Sequence, residues 1–242
     1  MSLMGMFDRF KEKKGQCTAV IVAAGSSRRM GEDKLALPLA GIPVLARTLT
    51  QFELCREIGE IIVVVREEKI VETAELCKQF GIHKATKILA GGKERVESSA
   101  AGVLQADRNS RYIAIADGAR PLVTPELIAQ TVEAARRYRA AVPGVAVKDT
   151  VKTVEDAVVT GTPDRSKLVA VQTPQVFEAD LIKAALTKAV QDGTAVTDDC
   201  SAVEALGVPV HIVDGSYENL KITTREDLLF AEALLAARGE TV

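Results

Sequence analysis

Short apolar runs alternate with amphipathic stretches along most of the chain, beginning near residue 17. A strand is predicted at residues 60–66, because the uninterrupted apolar run inside this segment, residues 61–65, is typical of a strand that is buried on both faces. Further strands are predicted at residues 18–24, 84–90 and 111–117, and helices at residues 44–58, 67–80 and 94–106. This alternation predicts an α/β fold of Rossmann-like type, with a mostly parallel sheet and helices on both faces.

Residues 140–177 interrupt this alternation. Segments rich in valine and threonine are separated by turns there, and no helix is indicated. We therefore expect antiparallel hairpins to be inserted into the α/β domain as a β-arm. Because an isolated β-ribbon is only marginally stable in water, the arm is expected to pair with a second subunit in a homodimer.

The two ends of the chain complete the predicted organisation. Helical periodicity returns after the arm, and a short strand precedes the last helix; these segments are residues 178–191, 198–206, 209–213 and 225–238. Thr124 and Pro125 predict a further helix start, as N-cap and first helical residue. We expect residues 1–16 to be a flexible N-terminal extension and residues 17–242 to be a single domain that contains the arm.

Charge and cysteine content narrow the function classes. The 242-residue chain has a formal net charge of −2, which argues against non-specific binding to nucleic acid or to an anionic membrane. Its four cysteines are scattered without a C-x-x-C spacing and it has two histidines, so no zinc site is indicated. No apolar run reaches membrane-spanning length, and the cysteine usage suits a reducing compartment, so a cytoplasmic location is expected.

The first predicted strand leads into a loop that suits a polyanion. It runs directly into Gly25-Ser-Ser-Arg-Arg-Met-Gly31, and Lys34 follows shortly after. Small residues let backbone N–H groups approach phosphate oxygens, and Arg28, Arg29 and Lys34 can neutralise the remaining charge. The loop is neither a Walker A motif nor a Gly-x-Gly-x-x-Gly fingerprint. It predicts a nucleoside triphosphate site; the alternative is a turn whose arginines face solvent.

A second cluster follows the strand at residues 84–90. Gly91 and Gly92 let the backbone approach a ligand, and Arg95 and Ser98 are spaced to share one face of the next helix. In the alternative interpretation the glycines form an ordinary loop and Ser98 is a small packing residue.

A third cluster contains Asp117, which ends an apolar strand. A carboxylate in that position needs a metal ion such as Mg²⁺ or a cationic partner, and Arg120 is the alternative partner. Because Gly25, Gly92 and Asp117 all follow strands of a parallel sheet, they are expected to converge on one crevice.

Polar residues also occur at 148–152, 164–165 and 197–199, and Lys221 lies between apolar neighbours. The alternative for Lys221 is a strand lysine whose ammonium group reaches solvent. Thr224 is assigned a structural role, because it begins a local capping pattern before the last helix.

Taken together, these blocks resemble the 2-C-methyl-D-erythritol 4-phosphate cytidylyltransferases of the non-mevalonate isoprenoid pathway. The resemblance covers residues 17–239, and its ordered blocks are AAGSSRRMG…K, GGKERVESS, ADGARP, KDTVK, DR, QTPQVF, VTDDCSAVE and NLKITTREDL. It implies a fold of the nucleotide-diphospho-sugar transferase type, with an arm that contributes residues across a dimer interface.

The resemblance also implies roles for individual positions. CTP would be contacted by small residues of the first loop and by residues of the second cluster, which are Ala23, Ala24, Gly25, Gly92, Arg95 and Ser98. Arg29 and Lys34 would stabilise charge on the triphosphate, and Asp117 would hold Mg²⁺ or another divalent cation. Arg165 and Lys221 would position the methylerythritol phosphate. The other implied substrate-binding residues are Arg120, Thr150 and Thr197.

Some positions depart from the usual family pattern. Leu35 follows Lys34 where glutamine is usual, and Lys93 replaces an aspartate. Ala116 and Gly118 flank Asp117 in place of the more usual histidine and alanine. Leu35 and Lys93 lie near the expected nucleotide, so we expect these two departures to affect how strictly the site selects cytosine.

The implied reaction transfers CMP from CTP to a polyol phosphate, 2-C-methyl-D-erythritol 4-phosphate, and releases pyrophosphate. The attacking phosphate oxygen is already anionic, so preorganised cations are needed rather than a general base. A ribitol 5-phosphate cytidylyltransferase remains an alternative, as does a non-catalytic nucleotide sensor. A nucleotidyltransferase for a cofactor or hexose phosphate fits the later blocks poorly, and a Rossmann dehydrogenase lacks its glycine fingerprint.

Overall fold

The computed structural model describes residues 16–25, 33–193 and 196–240. Its strands are β1 (Cys17–Val22), β2 (Pro38–Leu39), β3 (Ile42–Pro43), β4 (Ile58–Val65), β5 (Ala85–Ala90), β6 (Tyr112–Asp117), β7 (Ala140–Ala146), β8 (Thr153–Glu155), β9 (Val158–Gly161), β10 (Val169–Val171), β11 (Gln175–Glu178) and β12 (His211–Asp214). Its α-helices are α1 (Val44–Leu54), α2 (Ile70–Gln79), α3 (Arg95–Leu104), α4 (Pro125–Tyr138), α5 (Ala179–Gln191), α6 (Asp199–Glu204) and α7 (Arg225–Ala237).

An eight-stranded sheet organises these elements. Seven strands follow the order β10-β7-β11-β6-β1-β4-β5, and β12 pairs with β7. The pairs β6–β1, β1–β4, β4–β5 and β12–β7 are parallel, whereas β11 runs antiparallel to both β6 and β7. The predicted α/β fold with a mostly parallel sheet is therefore confirmed.

The central strands are buried on both faces, and alternate residues enter different hydrophobic layers. In β1, Ala19 and Ile21 pack into one layer and Val20 packs into the other. The first layer is covered by α1, α2, α4 and α7, and the second by α3, α5 and α6. This explains the uninterrupted apolar run at residues 61–65 of β4, since a strand covered by helices on both faces has no solvent-facing side there.

Local signals account for several helix ends. The Thr124 hydroxyl accepts a hydrogen bond from the Leu127 N–H, and Pro125 occupies the first turn, as predicted. Thr224 and Asp227 form a reciprocal capping box at the start of α7, so the structural assignment of Thr224 is confirmed. The helix predicted at residues 44–58 is wrong at its C-terminal end, because Cys55 is extended and Ile58 already begins β4.

The segment at residues 140–177 divides between two sheets. β7, β10 and β11 join the main sheet, whereas β8 and β9 form a separate two-stranded hairpin. Asp156 and Ala157 connect that hairpin, and both have positive φ, as a two-residue turn matched to the strand twist requires. Val154 and Val159 are paired across it and both are exposed.

Three further features bear on the sequence predictions: the N-terminal extension, membrane-spanning helices and the cysteines. The predicted N-terminal extension, apart from Gln16, lies outside the described residues. Within the described ranges, no helix is long and apolar enough to cross a bilayer. All four cysteines are free and buried.

Candidate active site

The candidate site lies where several parallel strands end. Val22 is in register with Asp117 of β6 and with Val64 of β4, and Val65 is in register with Ala90 of β5. The segments that leave β1, β5 and β6 therefore emerge at the same edge of the sheet, where ligands of open α/β sheets bind. A cavity of about 540 Å³ lies between them.

The structure brings the sequence-predicted nucleotide residues together at this cavity. All six line it, and they are Ala23, Ala24, Gly25, Gly92, Arg95 and Ser98. The convergence expected from the strand ends is therefore present.

Close approach of the backbone explains the paired glycines. A Cβ atom on Gly91 would lie 2.6 Å from the Cβ of Ala24, and one on Gly92 would lie 2.3 Å from the Cβ of Glu97. The Ser98 hydroxyl accepts a hydrogen bond from the Gly92 N–H at 3.1 Å and donates one to the Glu94 carbonyl at 3.1 Å. Ser98 therefore fixes the shape of the glycine loop.

Asp117 is the electrostatic centre of the cavity. Its Oδ2 lies 2.8 Å from the Nζ of Lys221 and 3.7 Å from the Nε of Arg120. Its Oδ1 lies 3.7 Å from the Nε of Arg95. Burial raises the pKa of Asp117, but the charges of these neighbouring cations outweigh burial and hold the pKa below its ordinary value. Asp117 is therefore ionised at neutral pH.

Arg120 belongs to the wall of the site rather than to the cavity lining. It is buried, its Nη1 donates to the Asn219 carbonyl, and its Nε faces Asp117. Burial lowers the pKa of this guanidinium, and the charge of Asp117 opposes that effect. The ion pair that was the alternative explanation for Asp117 is thus present, together with two further cations.

The lysine of the first loop reaches the same region. Lys34 lines the cavity, and its Nζ donates to the Ile222 carbonyl at 2.7 Å. This bond joins the end of the phosphate loop to the segment that carries Lys221. Arg29, the other predicted triphosphate contact, lies outside the described residues, as does Arg28.

A divalent cation fits this site only as a partner of the substrate. The described ranges contain no group of three or more His, Cys, Asp or Glu side chains that would hold a metal ion. Asp117 supplies a single carboxylate, and its Oδ1 has the looser contact, to Arg95 at 3.7 Å. One carboxylate together with substrate phosphates is a common arrangement for Mg²⁺, so the residues fit a cation delivered with a triphosphate.

Besides Arg120, three predicted substrate residues do not line the cavity. Thr150 is exposed before β8, and Arg165 is exposed after β9, where its Nη1 donates to the Lys148 carbonyl. Thr197 is exposed immediately before α6. Within this chain, the structure therefore does not place Thr150, Arg165 and Thr197 with the other predicted residues.

Comparisons with known proteins bear on the chemistry of this cavity. Residues 17–237 match the family model described as "IspD: 2-C-methyl-D-erythritol 4-phosphate cytidylyltransferase". The chain belongs to this family.

Individual relatives of this cytidylyltransferase family agree over most of their length. A 2-C-methyl-D-erythritol 4-phosphate cytidylyltransferase of Halalkalibacterium halodurans is 48% identical over 223 residues, covering 91% of this chain and 97% of the relative. One of Caldanaerobacter subterraneus is 46% identical, covering 90% of this chain and 98% of the relative.

Solved structures give the same result for the fold. The crystal structure of a 4-diphosphocytidyl-2C-methyl-D-erythritol synthase from Anaerococcus prevotii matches with a TM-score of 0.81 at 33% identity, covering 92% of this chain and 97% of that one. The cytidylyltransferase from Thermus thermophilus matches with a TM-score of 0.74 at 33% identity, covering 90% and 98%.

Some residues that shape the site of this cytidylyltransferase were not singled out from sequence. The Thr173 hydroxyl accepts from the Asp117 N–H at 3.1 Å, and Asn219 Nδ2 donates to the carbonyl of Thr173 at 3.0 Å. Gln172 Oε1 accepts from the same amide group. All three are buried polar residues of the QTPQVF and NLKITTREDL blocks, and their polarity inside apolar surroundings was the available signal.

Proposed function

We infer that this chain transfers CMP from CTP to 2-C-methyl-D-erythritol 4-phosphate and releases pyrophosphate, a step of isoprenoid precursor synthesis. The observation that carries this inference is the cavity of about 540 Å³, lined by Lys34, Arg95 and Lys221, in a chain that belongs to the family. Its volume is within the range typical of small-molecule sites.

The chemistry needs positioning and charge rather than a proton-transfer residue. An oxygen of the acceptor phosphate attacks the α-phosphorus of CTP, and the bond from that phosphorus to the β-phosphate oxygen breaks. Both reactants are anionic, and charge grows on the α-phosphoryl oxygens and on the leaving pyrophosphate. The described lining contains no histidine or cysteine, but it contains several cations. Preorganised cations stabilise such charge without a general base.

We assign the triphosphate to the side of the cavity formed by the first loop and Lys34. The small residues at 23–25 and the glycine loop before α3 allow close approach of a base and sugar, which supports the predicted nucleotide role. When bound, Mg²⁺ neutralises charge on the triphosphate, and Asp117 is the residue that would hold it.

Lys221 is suited to bind the acceptor phosphate. Its side chain is 39% exposed, and its ammonium group lies 2.8 Å from Asp117 at the cavity wall. A flexible lysine in this position can keep its contact with Asp117 while a second N–H donates to a phosphate oxygen. Lys34 and Lys221 both line the cavity, so both can contribute charge near the reacting phosphorus.

The positions of Arg165 and Thr150 support a homodimer. Both are exposed and flank the β8–β9 hairpin, away from the cavity of their own chain. The paired valines Val154 and Val159 leave apolar surface on that hairpin. We propose that the arm of one subunit reaches the partner's site, where Arg165 and Thr150 complete the acceptor pocket.

The cytoplasmic location and the absence of nucleic-acid partners remain predictions from composition. The structure supports the first through its cysteines, since all four are buried thiols. Burial raises the pKa of the Cys77 thiol to about 11, which keeps it protonated and unreactive at neutral pH.

An acceptor panel tests the proposed reaction. Pyrophosphate release is measured with CTP and Mg²⁺, with methylerythritol 4-phosphate and ribitol 5-phosphate as separate acceptors. Release with the first acceptor alone supports the inference. Release with ribitol 5-phosphate alone would support the proposed CTP site and contradict the proposed acceptor. CTP binding without pyrophosphate release with either acceptor would indicate a nucleotide sensor.

A further inference from the structure

A second buried carboxylate, Asp199, lies next to Arg95 and takes no part in the proposed chemistry. Asp199 is the first residue of α6 and is 1% exposed. Burial raises the pKa of its carboxyl group, and the charge of Arg95 opposes this. Burying a carboxylate is costly unless a cation compensates, so its presence calls for a physical explanation.

Asp199 is not needed to start its helix. The N-cap of α6 is the preceding Asp198, whose carboxylate accepts from the Ser201 N–H at 3.0 Å in a capping box. Besides Arg95, the Ser99 side chain interacts with the Asp199 carboxyl group and opposes the effect of burial on its pKa. Its close contact is an ion pair, from Oδ2 to the Nη2 of Arg95 at 2.8 Å.

Arg95 therefore lies between two buried carboxylates. One part of its guanidinium pairs with Asp199 at 2.8 Å, and its Nε lies 3.7 Å from the Oδ1 of Asp117. Arg95 lines the cavity, and its side chain is 30% exposed, so part of the side chain remains available to a ligand. The shorter distance shows that Asp199 holds this side chain more closely than Asp117 does.

We propose that Asp199 is a positioning residue for nucleotide binding, which acts through Arg95. It fixes the guanidinium at the wall of the cavity and keeps it from closing onto Asp117, which already faces Lys221 and Arg120. Without the Asp199 charge, Asp117 would be the nearest carboxylate to Arg95. The guanidinium would move toward it, away from the position that the nucleotide needs. This proposal rests on the proposed function, because it takes the cavity to be the CTP site.

The test is Asp199→Asn, which removes the charge while keeping the shape of the side chain. We expect the KM for CTP to rise about 10- to 100-fold, the size seen when outer partners of metal ligands are removed. The KM for methylerythritol 4-phosphate and the melting temperature should change little. Glu204→Gln is the matched control, since it makes the same chemical change at an exposed position of α6.

A double substitution separates positioning from a structural role. If Asp199 acts through Arg95, Asp199→Asn added to Arg95→Ala should cause no further rise in the KM for CTP. Additive losses, or a lower melting temperature with unchanged kinetics in Asp199→Asn, would overturn the proposal.

Arg95→Lys keeps the proposal testable if Asp199→Asn does not fold. An ammonium group retains the charge but cannot span both carboxylates, so the same selective rise in the KM for CTP is expected. An unchanged KM in Arg95→Lys would contradict the proposal. Wild-type protein that releases no pyrophosphate from CTP with any acceptor would instead refute the proposed function itself.

Discussion

Single lysines at the cavity connect segments that are distant in sequence. The Lys34 ammonium group is bonded to the Ile222 carbonyl, and Lys221 contacts Asp117. The segment at residues 221–222 thus carries one lysine and holds the other through its backbone carbonyl. Such preorganisation is what charge stabilisation requires, because the groups need not reorganise as the reaction proceeds.

Lys34→Ala should reduce turnover about 10²- to 10³-fold, by analogy with the loss of one oxyanion-hole donor. Turnover is measured as the rate of pyrophosphate release at saturating CTP, and circular dichroism checks that the variant is folded. Lys188→Ala serves as control, because that lysine pairs with Asp192 on the surface of α5. Near-wild-type turnover of Lys34→Ala would remove the lysine from the mechanism.

Glu60 illustrates a buried carboxylate with a purely structural role. Its oxygens accept from the Thr18 hydroxyl at 2.9 Å, the Thr86 hydroxyl at 2.8 Å and the Asp107 N–H at 2.8 Å. Burial raises the pKa of Glu60, but these hydrogen bonds and Lys87 outweigh burial and lower the pKa below its usual value of 4.5. The carboxylate ties β1, β4 and β5 together at the end of the sheet opposite the cavity.

Glu60→Gln should lower the free energy of unfolding by about 1–3 kcal/mol at neutral pH. Because the folded pKa is lowered, the stability contributed by ionisation is complete above the unfolded value and is lost as pH falls through the folded one. Urea unfolding at about pH 7 and about pH 3 should therefore show a gap between wild type and variant that narrows in acid. A gap that widens in acid would contradict the assignment.

At the scale of elements, α3 is held close to the sheet by a glycine. A Cβ atom on Gly102 would lie 2.4 Å from the Cγ1 of Val20 and 2.9 Å from the Cγ2 of Val64. The helix can therefore pack directly on β1 and β4, which places its first turn, with Arg95, at the cavity.

Gly102→Ala should destabilise the fold by about 1–3 kcal/mol, because overpacking outweighs the gain of about 1 kcal/mol in helix propensity. Thermal unfolding measures the change, and pyrophosphate release tests whether the displaced α3 also weakens catalysis. Gly193→Ala is not a suitable control, since Gly193 has a positive φ. Ala101→Ser is better, because it alters a neighbouring, partly exposed position of the same helix. A Gly102→Ala variant more stable than wild type would contradict this prediction, because it would show that the Val20 and Val64 side chains move aside at little cost.

Elements were predictable from sequence where the local signal and the tertiary packing agree. The strands with continuous apolar runs and the helix starts at Thr124 and Thr224 are of this kind. The C-terminal end of α1 was not, because Cys55 and Ile58 continue the helical spacing of apolar residues from Phe52 while the chain already turns into β4. The first turn of the helix predicted at residues 67–80 is a 3₁₀-helix, Glu67–Lys69, which has no distinct hydrophobic pattern.

The candidate site shows the same division. Gly25, Gly92 and Asp117 were predictable because parallel strands bring their ends together. The contact of Arg95 with Asp199 was not, since it depends on how α3 and α6 pack and on no sequence spacing. Side chains that meet through tertiary packing leave no periodic signal in the chain.

At the scale of the whole molecule, the hairpin β8–β9 is the feature that a single chain does not explain. A two-stranded ribbon with exposed valines is marginal alone, and Arg165 and Thr150 lie beside it. The proposed homodimer accounts for both observations, because the partner would cover the valines and receive the polar residues.

A Val154→Lys/Val159→Lys double substitution should yield a monomer with a raised KM for the acceptor and nearly unchanged CTP binding. Sedimentation velocity reports the oligomeric state, and calorimetry reports CTP affinity. Val71→Lys is the control, since Val71 is 70% exposed on α2 outside the hairpin. A monomeric wild type with full activity would contradict the dimer and return Arg165 and Thr150 to a surface role.

The central claim is that this chain joins CMP to methylerythritol 4-phosphate in the cavity around Asp117. The most direct measurement follows both products in one reaction, with pyrophosphate determined enzymatically and the cytidylyl conjugate determined by mass spectrometry. We expect one molecule of 4-diphosphocytidyl-2-C-methyl-D-erythritol for each pyrophosphate. We also expect both products to disappear together in Lys34→Ala. Pyrophosphate without the conjugate, or CTP binding without either product, would contradict the central claim.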